Sequence, residues 1–337
     1  MNAHPPVVRL LTFLFALGAL AARGDDITKP DEAQQRASVI KSLAFLDKEA
    51  DAWMNERDCN ACHHMPGLIW SHREAQRRGL AFDQDKFEEF LDWSVTRAKK
   101  SKSADEVTAL MKLAMGDQAP PELTKLIVSS QLPDGTWKLG GQFASMQRRQ
   151  APEATGNSLR LFLLALGSQP ADQPMADEAR SKAAAELEKH DAPKSLETLI
   201  FRALYARRFG PPEEAANARA EVLKLQHSDG GWGWMIGEEQ SDSLATGQAL
   251  YLLQQSPEAA STEAISRAQG WLVSHQREDG GWSIDITRIS RLDRTGPAKA
   301  KSFKDATGIY TFWGSAWATL GLEQGFPVKE PREAPVP

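Results

Sequence analysis

Three heptapeptides share one pattern: Gln131–Trp137 reads QLPDGTW, Gln226–Trp232 reads QHSDGGW and Gln276–Trp282 reads QREDGGW. Their starts lie 95 and then 50 residues apart, the spacing of a repeat of ~45–50 residues with one copy eroded in the middle. EKHDAP, Glu188–Pro193, falls midway and keeps the aspartate three residues after its start, as a decayed copy would. Repeats of this size cannot each bury their own apolar face, so one unit must stack on the next. A second element follows each loop: EATGNSL (Glu153–Leu159), DSLATGQAL (Asp242–Leu250) and DATGIY (Asp305–Tyr310). A carboxylate ahead of Thr-Gly suits a helix N-terminus, where it caps free N–H groups and meets the positive end of the helix dipole.

Between these loops the apolar residues recur at helical spacing. Val39, Leu43, Leu46, Ala50 and Trp53 mark one helical face. SLRLFLLAL (Ser158–Leu166) and LETLIFRALYA (Leu196–Ala206) are apolar nearly all round, the mark of helices buried on both sides. Polar-faced segments near 34–57, 84–101, 120–131, 174–190, 212–226 and 262–275 alternate with apolar ones near 66–79, 104–116, 153–167, 194–208, 242–255 and 305–322. Outer and inner helices in alternation predict an (α/α)6 ring. An open solenoid of helix pairs is the structural alternative.

The Gln-x-x-Asp-Gly-x-Trp loops resemble the squalene cyclase repeats of the terpenoid cyclase and prenyltransferase toroid superfamily, over most of residues 34–322. The resemblance implies an all-α, (α/α)6 toroid, expected here over residues 34–324, in which glutamine and tryptophan tie one repeat to the next. It does not bring the chemistry with it. Triterpene cyclases protonate an alkene with an Asp-x-Asp-Asp motif, and this chain carries only the single carboxylates Glu153, Asp242 and Asp305, read as helix caps. Protein prenyltransferases hold zinc with Asp, Cys and His, and no matching set is present. Neither cyclase nor prenyltransferase activity is expected.

The N-terminus has the layout of a secretory signal peptide over residues 1–21: Arg9, an apolar run from Leu10 to Leu20, and a small-residue site at Ala19-Leu20-Ala21. The run is too short to span a bilayer. The mature chain is therefore expected to be exported, most simply to the periplasm, with no membrane span. Residues 22–33 read as a linker and the proline-rich end, residues 325–337, as a disordered tail. Loss of Arg9 takes the net charge from −5 to −6, which offers no electrostatic case for nucleic acid.

The two cysteines of the chain fall in one window, Cys59-Asn60-Ala61-Cys62-His63. That is the attachment signature of c-type haem: two thiols add to the vinyl groups while the imidazole ligates iron. The window predicts one covalent haem c held by Cys59, Cys62 and His63, with His63 as the metal ligand. A C-x-x-C-H-H element ahead of such a repeat domain also resembles a group of exported bacterial proteins. The function expected on this basis is electron transfer or redox activity, including haem oxidoreductase chemistry, with a redox partner protein or a small apolar ligand in the central cavity. The alternatives are a Cys59–Cys62 disulfide in a non-catalytic toroid scaffold, a thioredoxin-type motif, and a zinc site lacking its second ligand pair.

For a second axial ligand the candidates are His72, His190, His227 and His275, and the methionines Met54, Met111, Met115, Met146 and Met235; His64 and Met65 stand too near His63 to reach the opposite haem face. Trp232, Trp234, Trp282, Trp313 and Trp317 are read as repeat packing, with a cavity lining as the alternative. Ser283–Lys304 carries Arg288, Arg291, Arg294, Lys299, Lys301 and Lys304 and is read as a long solvated connection.

Overall fold

A computed structural model describes residues 29–56, 64–140, 153–167, 173–190, 193–255, 261–285 and 297–329. Six outer helices run over Glu32–Glu56 (α1), Gln84–Lys100 (α3), Pro121–Ser129 (α5), Gln173–Leu187 (α7), Pro212–Lys224 (α9) and Thr262–Ser274 (α11). Six inner ones run over Met65–Arg78 (α2), Glu106–Met115 (α4), Ala154–Leu166 (α6), Leu196–Phe209 (α8), Ser243–Gln254 (α10) and Pro297–Glu323 (α12). Among the described residues there is no strand, and one isolated bridge joins Ser195 to Met235. The protein is an (α/α)6 toroid. Outer and inner helices alternate antiparallel, so the inner N-termini share one rim and the inner C-termini the other.

The repeat loops bind neighbouring pairs together by the same bonds each time. The side-chain amide of Gln131 donates to the carbonyls of Gly135, in its own turn, and Ala179, on α7. Gln226 does so to Gly230 and to Ala264 on α11. Gln276 reaches Gly280 and Ser38 on α1, so the last loop grips the first helix and closes the ring. The indoles of Trp137, Trp232 and Trp282 are buried, and each N–H donates at 2.8 Å to a carbonyl in the last turns of the preceding outer helix, at Ile127, Val222 and Leu272. Each bond satisfies an acceptor near the helix end, where carbonyls begin to lack intrahelical partners. Gly135, Gly230 and Gly280 have φ of 88°, 90° and 98°, and each backs onto an outer-helix carbonyl, at Lys182, Arg267 and Lys41. A side chain there would meet both strain and backbone.

The inner ring closes at α10, α12 and α2. Gly247 and Gly321 face each other across α10 and α12, and a Cβ on Gly321 would stand 2.8 Å from the Gly247 carbonyl oxygen. On the other side of α12, Gly67 of α2 lies against Ala316. Small residues let these backbones approach closely.

The long connection expected over 283–304 is shorter than that reading. Helix α12 starts at Pro297, so Lys299, Lys301 and Lys304 stand on a helix, while Arg288, Arg291 and Arg294 lie outside the described residues. Asp305 is accordingly an interior residue of α12 and caps nothing at its start. Asp242 does cap, accepting from the Ala245 N–H at 2.8 Å. Glu153 instead reaches the next inner helix, where its carboxylate accepts from the backbone N–H groups of Lys194 and Ser195. Beyond α12, Phe326 is buried and the Lys329 N–H donates to the Arg77 carbonyl at 2.9 Å. No helix among the described residues is long and apolar enough to cross a membrane.

Candidate functional site

The lumen of the inner ring opens at its C-terminal rim into a cavity of about 320 Å³. Five inner helices contribute: Trp70 from α2, Leu113 from α4, Leu164 from α6, Leu204, Arg207 and Arg208 from α8, and Tyr251 from α10, with Gln255 just past its end. The five apolar and aromatic side chains among these are only half-buried, unlike their neighbours on the same helices, because they face open space instead of another helix. Helix α12 adds Trp317, which completes an aromatic triangle. Trp70 and Trp317 have ring centroids 5.6 Å apart, Tyr251 and Trp317 5.7 Å, and Trp70 and Tyr251 5.8 Å in an edge-on contact. Burial pushes the Tyr251 hydroxyl well above the ordinary tyrosine range, so it stays neutral.

A polar collar edges the aromatic triangle. Arg207 donates to the Gln255 amide oxygen at 2.7 Å, and the Gln255 amide donates to the Gln324 amide oxygen at 3.0 Å. Gln324 in turn donates to the Glu74 carboxylate at 3.1 Å and accepts from Arg78 at 2.7 Å. Glu74 also takes hydrogen bonds from Arg77, at 2.8 Å, and from Arg78. The collar thus links α8, α10, α12 and α2. Glu323 lies beneath it, fully enclosed, and neither carboxyl oxygen has a hydrogen-bond partner among the described residues. Burial, helped by the neighbouring Glu74 charge, raises it well above an ordinary carboxylate.

The opposite end of the inner ring is polar as well. Glu106, in the first turn of α4, is fully buried, and its Oε2 accepts from the Gly140 N–H at 2.7 Å. Burial pushes its carboxyl up to about 7, against the opposing hydrogen bonds. Thr198 donates to Asn157 at 2.9 Å and Gln248 to Glu197 at 3.0 Å, bridging α6 to α8 and α8 to α10.

Cys59, Cys62 and His63 lie outside the described residues, as does Met146. Most of the other residues considered as axial ligands are committed elsewhere, and Met235 is half-buried in the loop before α10. His72 is fully buried, with Nδ1 at 2.9 Å from the Leu68 carbonyl and Nε2 at 2.9 Å from Asp47, and Phe87 stacks on its ring. His64 is buried between Trp53 and Phe312, at centroid distances of 4.4 and 4.1 Å. His227 pairs with Ser241, His190 with Glu186, and His275 stacks on Trp271. Met65, Met111 and Met115 are core residues, and Met54 packs against the same cluster. Among the described residues no group of three His, Cys, Asp or Glu side chains could hold a metal ion.

Of the five tryptophans singled out from sequence, Trp232 and Trp282 are repeat packing, and Trp234 and Trp313 pack around Tyr310. Trp317 alone of the five joins the aromatic triangle at the cavity. Sequence reading missed Trp70, Tyr251, Arg207 and Glu74. Their common signal is position: each stands in the last two or three turns of an inner helix.

The fold and the cavity together define an α/α toroid with an amphipathic lumen. No family model matches the chain. Over 83 residues it is 36% identical to the drimenyl diphosphate synthase of Streptomyces showdoensis, a stretch that covers 25% of this chain and 14% of the synthase. An unsaturated glucuronyl hydrolase from Streptococcus agalactiae superposes with a TM-score of 0.56 at 10% identity, over 90% of this chain and 93% of the hydrolase. An ent-copalyl diphosphate synthase from Streptomyces platensis has a TM-score of 0.49 and 17% identity, over 76% of this chain and 50% of the synthase. The toroid of the hydrolase establishes the fold alone.

These findings correct the expected function. The sequence relative is a diphosphate synthase and the superposed structure a glucuronyl hydrolase, and neither is a haem protein by name. Nor do the described histidines, aspartates and glutamates form a group of three that could hold a metal ion. The reading of the chain as a haem c electron carrier or haem oxidoreductase is therefore withdrawn.

Proposed function

We propose that the toroid binds an apolar small molecule of isoprenoid type in the cavity at the inner C-terminal rim. One observation carries this reading: Trp70, Tyr251, Trp317, Leu113, Leu164 and Leu204 form an apolar surface from six inner helices that the protein leaves unfilled. A cavity of about 320 Å³ falls within the range of small-molecule sites, roughly 300–1,000 Å³. An apolar ligand covering those side chains would gain ~25 cal/mol per Å² of apolar surface removed from water. The stretch shared with a diphosphate synthase of terpenoid chemistry supports the ligand class.

Binding, and not proton-initiated cyclisation, is what the cavity supports. Glu74, the carboxylate in the collar, is engaged by hydrogen bonds from Arg77, Arg78 and Gln324. Glu323 has no exposed surface. The signal-peptide layout of residues 1–21 supports export of such a binding protein under the same proposal.

Titrating the purified protein with a C15 isoprenoid alcohol, followed by tryptophan fluorescence or calorimetry, tests the reading. Saturable binding that weakens about tenfold in Trp70→Ala, with the helical circular dichroism unchanged, is the expected result. Binding of an unsaturated uronic disaccharide but not of the alcohol would overturn it in favour of a sugar site.

A further inference from the structure

The collar does not balance its charges. Glu74 is fully engaged by two guanidinium groups, of Arg77 and Arg78. Arg207 and Arg208 stand exposed at the cavity mouth, and neither has a carboxylate within ion-pair distance among the described residues. Arg207 spends one N–H on the neutral Gln255 amide at 2.7 Å, and Arg208 one on the Gly167 carbonyl at 2.9 Å. Each guanidinium has five N–H donors, so most of their hydrogen-bonding capacity faces the opening. Glu323 lies enclosed below the collar, and burial raises its carboxyl well above the usual carboxylate range.

Resting on the binding reading above, we infer that the ligand is an anionic amphiphile: an apolar chain in the aromatic cavity with a carboxylate or phosphate head held by Arg207 and Arg208. The geometry orders the two parts. Leu113, Leu164 and Leu204 line the apolar part, and the arginines lie one turn further along α8, at residues 207 and 208, toward solvent. The Gln255–Gln324–Glu74 relay holds the Arg207 side chain from behind, so less of its rotamer freedom is lost when an anion docks. An anion met by two guanidinium groups gains charge-assisted hydrogen bonds about twice as strong as neutral ones. A neutral head would leave both arginines with water.

Three probes of one chain length separate the possibilities: a C15 isoprenoid alcohol, the corresponding carboxylic acid, and its phosphate monoester, each used as monomer below its aggregation concentration. The acid, the phosphate or both should bind at least tenfold tighter than the alcohol. That preference, read as the ratio of anion to alcohol affinity within each protein, should shrink as salt is raised and collapse to less than threefold in Arg207→Gln/Arg208→Gln. The acid and phosphate arms identify which head the pair prefers. Equal affinity for alcohol and anions, or a preference that survives the double variant, overturns the inference while leaving the apolar site standing. Failure of all three probes removes both readings.

Discussion

Glu106 shows how far a residue's chemistry can depart from its sequence context. Asp105-Glu106 at a helix start reads as an ordinary acidic first turn, where the helix dipole favours the charged form by ~0.3–1 kcal/mol. Desolvation wins over that term, because Gly140 and residues of α6 enclose the carboxyl and its level rises from 4.5 to about 7. The sign for stability follows. Below the ordinary value both folded and unfolded chains are protonated. As pH rises toward about 7 the unfolded chain ionises while the folded one holds its proton, so stability falls, by at most ~3 kcal/mol. Glu106→Gln should therefore match the parent in thermal melts at about pH 4 and exceed it at about pH 8. A melting difference that is the same at both pH values would show that the carboxyl is not raised.

At the scale of helices and loops, the sequence was legible wherever a residue acts within its own repeat. The heptapeptide loops recur because Gln, Gly and Trp make the same bonds at each copy, and together with the apolar periodicity between them they placed eleven of the twelve helix starts within two residues. The start of α12 was misplaced because PAKAKSFK carries charge without a helical face, and charge alone does not separate helix from loop. The cavity escaped for a related reason. Trp70, Leu164 and Tyr251 look like core residues of helices apolar nearly all round, and only the assembled ring shows that they face space. Gln276→Ala would free the carbonyls of Ser38 and Gly280, as Gln131→Ala and Gln226→Ala would free their pairs. Each variant should lose a similar ~1–3 kcal/mol in urea denaturation. A loss confined to one of them would show that the repeats are not energetically equivalent. Gly247→Val should cost more, since it drives a branched side chain into the α12 backbone at Trp317 and Ala318. A melting temperature within a degree or so of the parent would contradict that close crossing.

For the whole molecule, the bond from Gln276 to Ser38 turns a row of repeats into a ring. An open array needs polar capping units at both ends, whereas a ring has no end units to protect. The same closure brings the first and last described segments side by side. The Gln35 side chain donates to the Leu322 carbonyl at 2.6 Å, and the Arg36 guanidinium lies 4.8 Å from the Phe326 ring centre. Residues 30 and 329 could then be joined by a short flexible bridge and the chain reopened at the Gly210–Pro211 turn between α8 and α9, since termini that sit together tolerate such rewiring. That permuted chain should keep the helical circular dichroism and cooperative melt of the parent. The order in which the repeats are synthesised would then be a matter of gene history, and a cell could begin this protein at any of its turns.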